Sequence, residues 1–161
     1  LLSLLKELHN SRGVGIDISS GAIRTARINS MNLNLTNRVK FNNFDLERYN
    51  LGRYDLIVSN PPYIPSKDIK KLSKDIINFE PKKALDGGSD GLDLIKKVIY
   101  KSNILLKRNG ILALEIGLGQ YRKVSKILKC YKFREYIKIC DYNGNVRCII
   151  TTKTDFIKVK K

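Results

Sequence analysis

Apolar positions along this chain alternate between helical stripes and short unbroken runs. Residues 2 to 9 read as a short helix, and Gly13-Val14-Gly15-Ile16-Asp17-Ile18 as a buried strand ending in an acid. Ser19 or Ser20 can cap a helix over 20 to 31, whose apolar positions Ala22, Ile23, Ala26 and Met31 share one face. Arg38 to Phe41 is a short strand, Tyr54 to Ser59 another, and residues 68 to 78 are weakly helical. After the turn Gly87-Gly88-Ser89-Asp90-Gly91, Ser89 or Asp90 caps a helix through Leu106, which Asn109-Gly110 ends by a left-handed turn. Ile111 to Ile116 is a continuous apolar strand. A helix over 119 to 130, a strand over 133 to 140, a turn over 141 to 145 and a strand over 146 to 151 complete the series. Alternation of this kind predicts an α/β fold, a mostly parallel sheet with helices on both faces, closed by an antiparallel hairpin.

At 161 residues this pattern fits one domain with a real core, expected over 1–152, followed by a frayed basic tail over 153–161. No apolar stretch approaches the roughly 20 residues that span a bilayer, and no secretory leader is visible, so a cytoplasmic monomer with no membrane partner is expected. The first residue is Leu rather than Met, which points to an amino terminus lying further upstream. Cys130, Cys140 and Cys148 have no Cys-x-x-Cys spacing and read as reduced structural thiols. His9 is the sole histidine and reads as solvated; no metal cluster is expected. The net charge of +16 fits an acidic partner such as nucleic acid, or an excess of lysine spread along the chain by composition alone.

The chemistry concentrates in Asn60-Pro61-Pro62-Tyr63, directly after an apolar strand. In open α/β sheets, ligands bind beyond the carboxyl ends of strands. Asn60 offers a neutral carbonyl acceptor. Pro62 holds Pro61 extended, which leaves the Pro61 carbonyl available to the site. Two such acceptors could grip one NH2 group and orient a planar nitrogen whose lone pair is delocalised, with Tyr63 packed on the flat substrate group. Asp17, at a strand end, reads as an acceptor for a ribose diol or as a cap of the next helix. Asp45, with Leu46 beside it, reads as an adenine contact or as a plain loop carboxylate.

Asp17 with its Ala-x-x-x-Ala helix, Asp45, and Ile57-Val58-Ser59-Asn60-Pro61-Pro62-Tyr63-Ile64-Pro65 together resemble a class I S-adenosylmethionine-dependent methyltransferase of the amino-methylating group. The segment Phe79 to Leu92, Leu114-Glu115-Ile116-Gly117 with Gln120, and Asp141 to Arg147 resemble the peptide chain release factor glutamine methyltransferases (the HemK/PrmC family). The resemblance covers nearly all of the chain. It implies a Rossmann-like sheet and transfer of a methyl group from S-adenosyl-L-methionine to the amide nitrogen of the glutamine in the Gly-Gly-Gln motif of release factors. It further implies that Asn60 and Pro61 hold the amide, Pro62 and Tyr63 line its pocket, Asn60 also faces the cofactor, Asp17 binds its ribose, and Asp45 and Leu46 meet its adenine. Glu80, Glu115 and Arg147 are expected to scaffold the site rather than act as acid or base.

The family's glycine-rich loop, its first strand and its amino-terminal helical domain have no counterpart in these residues. The expectation is a chain that lacks a central strand and binds the cofactor weakly or not at all. Two other readings compete. One is a methyltransferase for the exocyclic amine of adenine or guanine, which draws on the same tetrapeptide and the positive charge but shows no dedicated recognition insert. The other is an inactive truncated remnant.

Overall fold

A computed structural model describes residues 1 to 154. The part of the expected basic tail from residue 155 onward lies outside the described residues. The chain divides into two compact units, Leu1–Asn50 and Leu51–Lys161.

In the first unit, α1 (Leu2–Glu7) leads to β1 (Gly13–Asp17), α2 (Ser20–Asn32) and β2 (Val39–Asn43). The two strands pair in parallel, Gly13 opposite Val39 and Asp17 opposite Asn43. Leu5, Leu35 and Val39 form a small core with Leu2 and Phe41 packed against it. Ser19 caps α2 by accepting the Ala22 N–H at 3.2 Å. The buried stripe of α2 differs from the expected one. Ile23 and Ser30 are buried while Ala22 and Met31 are exposed, because Ser30 donates its hydroxyl to the Arg27 carbonyl and sits seven residues from Ile23, two turns along one face. His9 is exposed just after α1.

The second unit contains β3 (Tyr54–Ser59), a 3₁₀ helix (Ser66–Lys71), α3 (Lys74–Phe79), α4 (Lys82–Leu85), α5 (Asp93–Leu105), β4 (Leu106–Glu115), α6 (Tyr121–Cys130), β5 (Phe133–Cys140) and β6 (Val146–Lys153). Its sheet order is β3-β4-β6-β5. The β3–β4 pair is parallel and both pairs made by β6 are antiparallel, so β3, β4 and β5 share a direction and β6 alone opposes them. This is the mostly parallel sheet with a closing hairpin expected from the apolar pattern. Ile95 and Ile99 of α5, and Val124 and Leu128 of α6, sit one turn apart and are fully buried, as are Leu112, Leu114 and Ile149 of β4 and β6. Helix α5 packs on β3, β4 and α6, and α6 packs on β5.

Three boundaries differ from expectation. The weak helix over 68 to 78 resolves into a 3₁₀ turn and the short helix α3, and a further short helix, α4, follows it. Helix α5 starts at Asp93 with Leu92 at its N-cap, and Asp90 instead accepts the Leu92 N–H in the preceding turn. Its end comes at Leu105, because Leu106 already pairs with Tyr54. Asn109 does adopt a left-handed φ of 58°, but inside β4, where residues 107–110 bulge out between the Tyr54–Leu106 and Leu56–Ile111 pairs. At the same end of the sheet, Lys153, expected to open a tail, ends β6 and donates to the carbonyls of Asn103 and Leu106 at 2.6 and 3.2 Å.

Cys130 and Cys140 are free and exposed, which separates them from the structural role expected for all three thiols. Cys148 is a half-buried free thiol opposite Glu115 on the β4–β6 ladder; burial, then the Glu115 charge, pushes its pKa up. No helix among the described residues is long and apolar enough to cross a membrane.

Candidate active site

Each unit carries part of the expected site at the carboxyl ends of its parallel strands. In the first unit, Asp17 closes β1. Its Oδ1 accepts the Ser19 N–H at 2.7 Å, and its carbonyl accepts Asn43 Nδ2 and the Phe44 N–H at 2.9 and 3.0 Å. The helix cap itself is Ser19, so Asp17 turns the chain toward α2 without serving as the cap. Its second carboxylate oxygen takes no hydrogen bond among the described residues and the side chain is exposed. Asp45 lies two residues beyond β2 in a tight turn; its Oδ1 accepts the Glu47 N–H at 2.8 Å and its carbonyl accepts the N–H groups of Arg48 and Tyr49. Leu46 is half-buried beside it, and Phe44 meets Tyr49 edge to face at 5.7 Å. Asp17 and Asp45 thus occupy the same end of the two-stranded sheet.

In the second unit, the chain leaves β3 at Ser59 and enters Asn60-Pro61-Pro62-Tyr63 with every peptide trans. Asn60 is exposed, Pro61 buried, Pro62 and Tyr63 half-buried. All four line a cavity of about 320 Å³ whose other walls are Ile64, Ile76, Glu80, Ala84 and Leu85. Neither the Asn60 side chain nor the Pro61 carbonyl takes a hydrogen bond from the described residues, so both acceptors remain available there. The cavity's far wall comes from α3 and α4. Apolar periodicity does not mark that wall, because these elements are too short to carry it; only the resemblance of Phe79 to Leu92 points there.

The loop is anchored where it leaves the cavity. Ile64 N–H donates to the Leu85 carbonyl, Gly87 N–H to Ile64, and Ser66 N–H to Gly88, at 2.9 to 3.1 Å. Asp86 reinforces this turn by accepting the Ser66 hydroxyl at 2.6 Å and the Gly88 N–H at 3.0 Å, and these bonds, the Ser66 one first, hold its carboxyl below the usual aspartate range. The Tyr63 hydroxyl lies 3.2 Å from Glu115 Oε1 and accepts from Arg147 Nη2 at 3.1 Å. Adjacent strands supply those partners: Glu115 ends β4, and the Ile116 N–H donates to the Arg147 carbonyl across to β6. Glu115 and Arg147 therefore hold Tyr63. Glu80, expected to scaffold the site with them, instead lines the cavity and pairs with no described residue.

Residues 11–145 match the family model described as Eco57I restriction-modification methylase. The chain is similar to a release factor glutamine methyltransferase of Rhodospirillum rubrum, 41% identical over 95% of this chain and 47% of that protein. It is likewise similar to one of Clostridium acetobutylicum, 42% identical over 80% of this chain and 46% of that protein. The chain thus spans about half the length of these curated relatives. Among solved structures, a methyltransferase from Pyrococcus furiosus superimposes with a TM-score of 0.66 at 16% identity, over 95% of this chain and 68% of that one. The fold is the Rossmann-like α/β fold of class I S-adenosylmethionine-dependent methyltransferases.

Proposed function

We propose that this chain, which belongs to the release factor glutamine methyltransferase family and matches the methylase model described for Eco57I restriction-modification enzymes, methylates the side-chain amide nitrogen of a glutamine in a peptide chain release factor. The glutamine is that of the Gly-Gly-Gln motif, the methyl donor is S-adenosyl-L-methionine, and the reaction belongs to the cytoplasm where release factors act. The catalytic domain spans residues 1–152 in this reading.

The observation that carries the proposal is that Asn60 and Pro61 line one cavity beside a Tyr63 held by Glu115 and Arg147, and that neither the Asn60 side chain nor the Pro61 carbonyl takes a hydrogen bond from the described residues. An amide nitrogen is a poor nucleophile because its lone pair is shared with the carbonyl. Two acceptors gripping its two N–H bonds fix the direction of that lone pair and favour the conformer in which it is least delocalised. Neutral acceptors suit a neutral amide, since they pose no charge to be desolvated in the cavity. Ile76, Ala84 and Leu85 give the opposite wall an apolar surface, and Tyr63 offers its ring to the flat amide. After attack the nitrogen is acidic, so its proton leaves without a strong base. That agrees with a cavity wall whose one carboxylate, Glu80, is not tied to the acceptors.

The residues at the other strand ends fit a nucleoside. Asp17 has a carboxylate oxygen open to a ribose diol, and Leu46 is half-buried where a flat base would need an apolar neighbour, with Asp45 beside it to accept an amino group. S-adenosyl-L-methionine supplies the electrophilic methyl group when bound.

A second reading, methylation of a base amine in nucleic acid, is favoured by the match to a restriction-modification methylase family and by the net charge of +16. One experiment decides between them. Methyl-labelled cofactor is supplied with purified release factor, duplex DNA or ribosomal RNA, and the label is located by mass spectrometry. Label on the release factor glutamine supports the proposal. Label confined to a nucleobase overturns it in favour of the second reading, and label on none of them refutes both.

A further inference from the structure

Gln120 is the N-cap residue of α6, and its side chain is 8% exposed in a position where a buried amide must satisfy two donors and one acceptor. All are satisfied by three different loops. Its Nε2 donates to the Tyr63 carbonyl at 2.9 Å and to the Gly91 carbonyl at 3.1 Å, and its Oε1 accepts the Gly117 N–H at 2.8 Å. Room for it is made by two glycines. A Cβ on Gly91 would strike the Tyr63 carbonyl oxygen and lie 2.7 Å from Gln120 Nε2, and one on Gly117 would lie 2.8 Å from Gln120 Oε1. Gly91 also holds a left-handed φ of 73°, which a side chain would strain.

Gln120 therefore grips the main chain of Tyr63, while Glu115 and Arg147 grip its hydroxyl. The residue is fixed at both ends. The Tyr63 carbonyl is turned toward Gln120, and two peptide units upstream the Pro61 carbonyl keeps no partner among the described residues. Trans peptides through Pro61 and Pro62 leave the intervening chain little freedom, so an anchor at Tyr63 sets the direction of the acceptors at Asn60 and Pro61.

We infer that Gln120 is a positioning residue for the Asn60–Tyr63 loop: its carboxamide locks the loop against the Gly91 turn and the end of β4, and thereby aims the acceptors that hold the substrate amide. This rests on the proposed amide methylation for its catalytic consequence, but the lock itself is a property of the chain. A methionine in its place keeps the volume and removes every hydrogen bond; a glutamate keeps the shape and turns an acceptor toward two carbonyls.

The test is residue-resolved hydrogen exchange on the 161-residue chain and on Q120M and Q120E, with methylation kinetics alongside. The expected result is exchange about tenfold faster at Ile64 and Ser66 in both variants, and at Gly117 in Q120M alone because a glutamate oxygen still accepts that N–H, with amides of the β4–β6 ladder within about twofold of the parent. Where turnover is measurable, kcat falls at least about tenfold while KM for the cofactor is unchanged, the pattern of a lost alignment rather than a lost binding contact. Parent-like exchange at Ile64 and Ser66 in Q120M overturns the inference, as does a loss of protection equal at the loop and the ladder in both variants. A parent chain that turns over no release factor counts against the proposed function, and the exchange data then decide the lock by themselves.

Discussion

Arg147 meets Tyr63 in two ways. Its Nη2 donates to the phenolic oxygen at 3.1 Å, and its guanidinium carbon stands 5.5 Å from the ring centroid. Residues 84 positions apart are thus joined by a charge-assisted hydrogen bond and a cation–π contact, with Glu115 on the same hydroxyl. Removing the hydroxyl alone separates these effects. The Y63F variant keeps the ring and the cation–π contact but leaves Glu115 and Arg147 without their common partner. It is expected to lose about 1–2 kcal/mol of stability, read as a lower urea midpoint at unchanged slope.

Asn60 is exposed and its side chain takes no hydrogen bond from the described residues, so its replacement has little to disturb in the fold. The N60A variant is expected to unfold at the parent's urea midpoint and to lose about 10²- to 10³-fold in the methylation rate, as for loss of one preorganised partner of a reacting group. Label transfer to release factor under single-turnover conditions measures it.

Asp17 carries a separable prediction, because its open carboxylate oxygen is assigned to a ribose rather than to the substrate amide. The D17A variant is expected to weaken S-adenosyl-L-methionine binding by about 10- to 100-fold relative to the parent chain, the value of a charge-assisted hydrogen bond. Calorimetric titration compares the two.

Acid should loosen the turn behind the cavity. Asp86 is held below its ordinary pKa by the Ser66 hydroxyl and then the Gly88 N–H, and Asp141 by the Asn145 N–H first. Glu135 is also lowered: burial pushes it up, but the hydroxyls of Ser125 and Tyr121 outweigh that. A carboxyl depressed in the folded state stabilises it fully above the unfolded pKa, near 4, and loses that contribution as pH falls through the lower folded value. The urea midpoint should therefore stay flat in these contributions from pH 7 to about 5 and fall below about 4, with a shallower fall in D86N.

The strands were legible because apolar runs end at residues that cannot continue them: Pro61 closes β3, and the run over 133–140 matches β5 at both ends. The switch from α5 to β4 was not. The run Ile104-Leu105-Leu106 is apolar on either side of the boundary, and what ends the helix is pairing of Leu106 with Tyr54, more than 50 residues earlier in the chain. Asn109-Gly110 resembles a helix stop in sequence and serves a bulge in fact. In the candidate site, Asn60, Pro61 and Tyr63 could be read from local chemistry. The convergence of Ile76, Glu80, Ala84 and Leu85 on one cavity could not, although the resemblance of Phe79 to Leu92 marked three of them, since they meet only when two helices of six and four residues fold beside the loop.

The two-stranded sheet has an energetic consequence. Leu1–Asn50 rests on one parallel pair and a core of Leu5, Leu35 and Val39, whereas the second unit has a four-stranded ladder and a larger set of fully buried side chains. Two-stranded sheets are marginal, and sparsely packed regions open first. On warming, amide signals of β1 and β2 should broaden and exchange at a lower temperature than those of β4 and β6. Between those temperatures the chain keeps Asn60 and Pro61 in place after the strand end that carries Asp17 has opened.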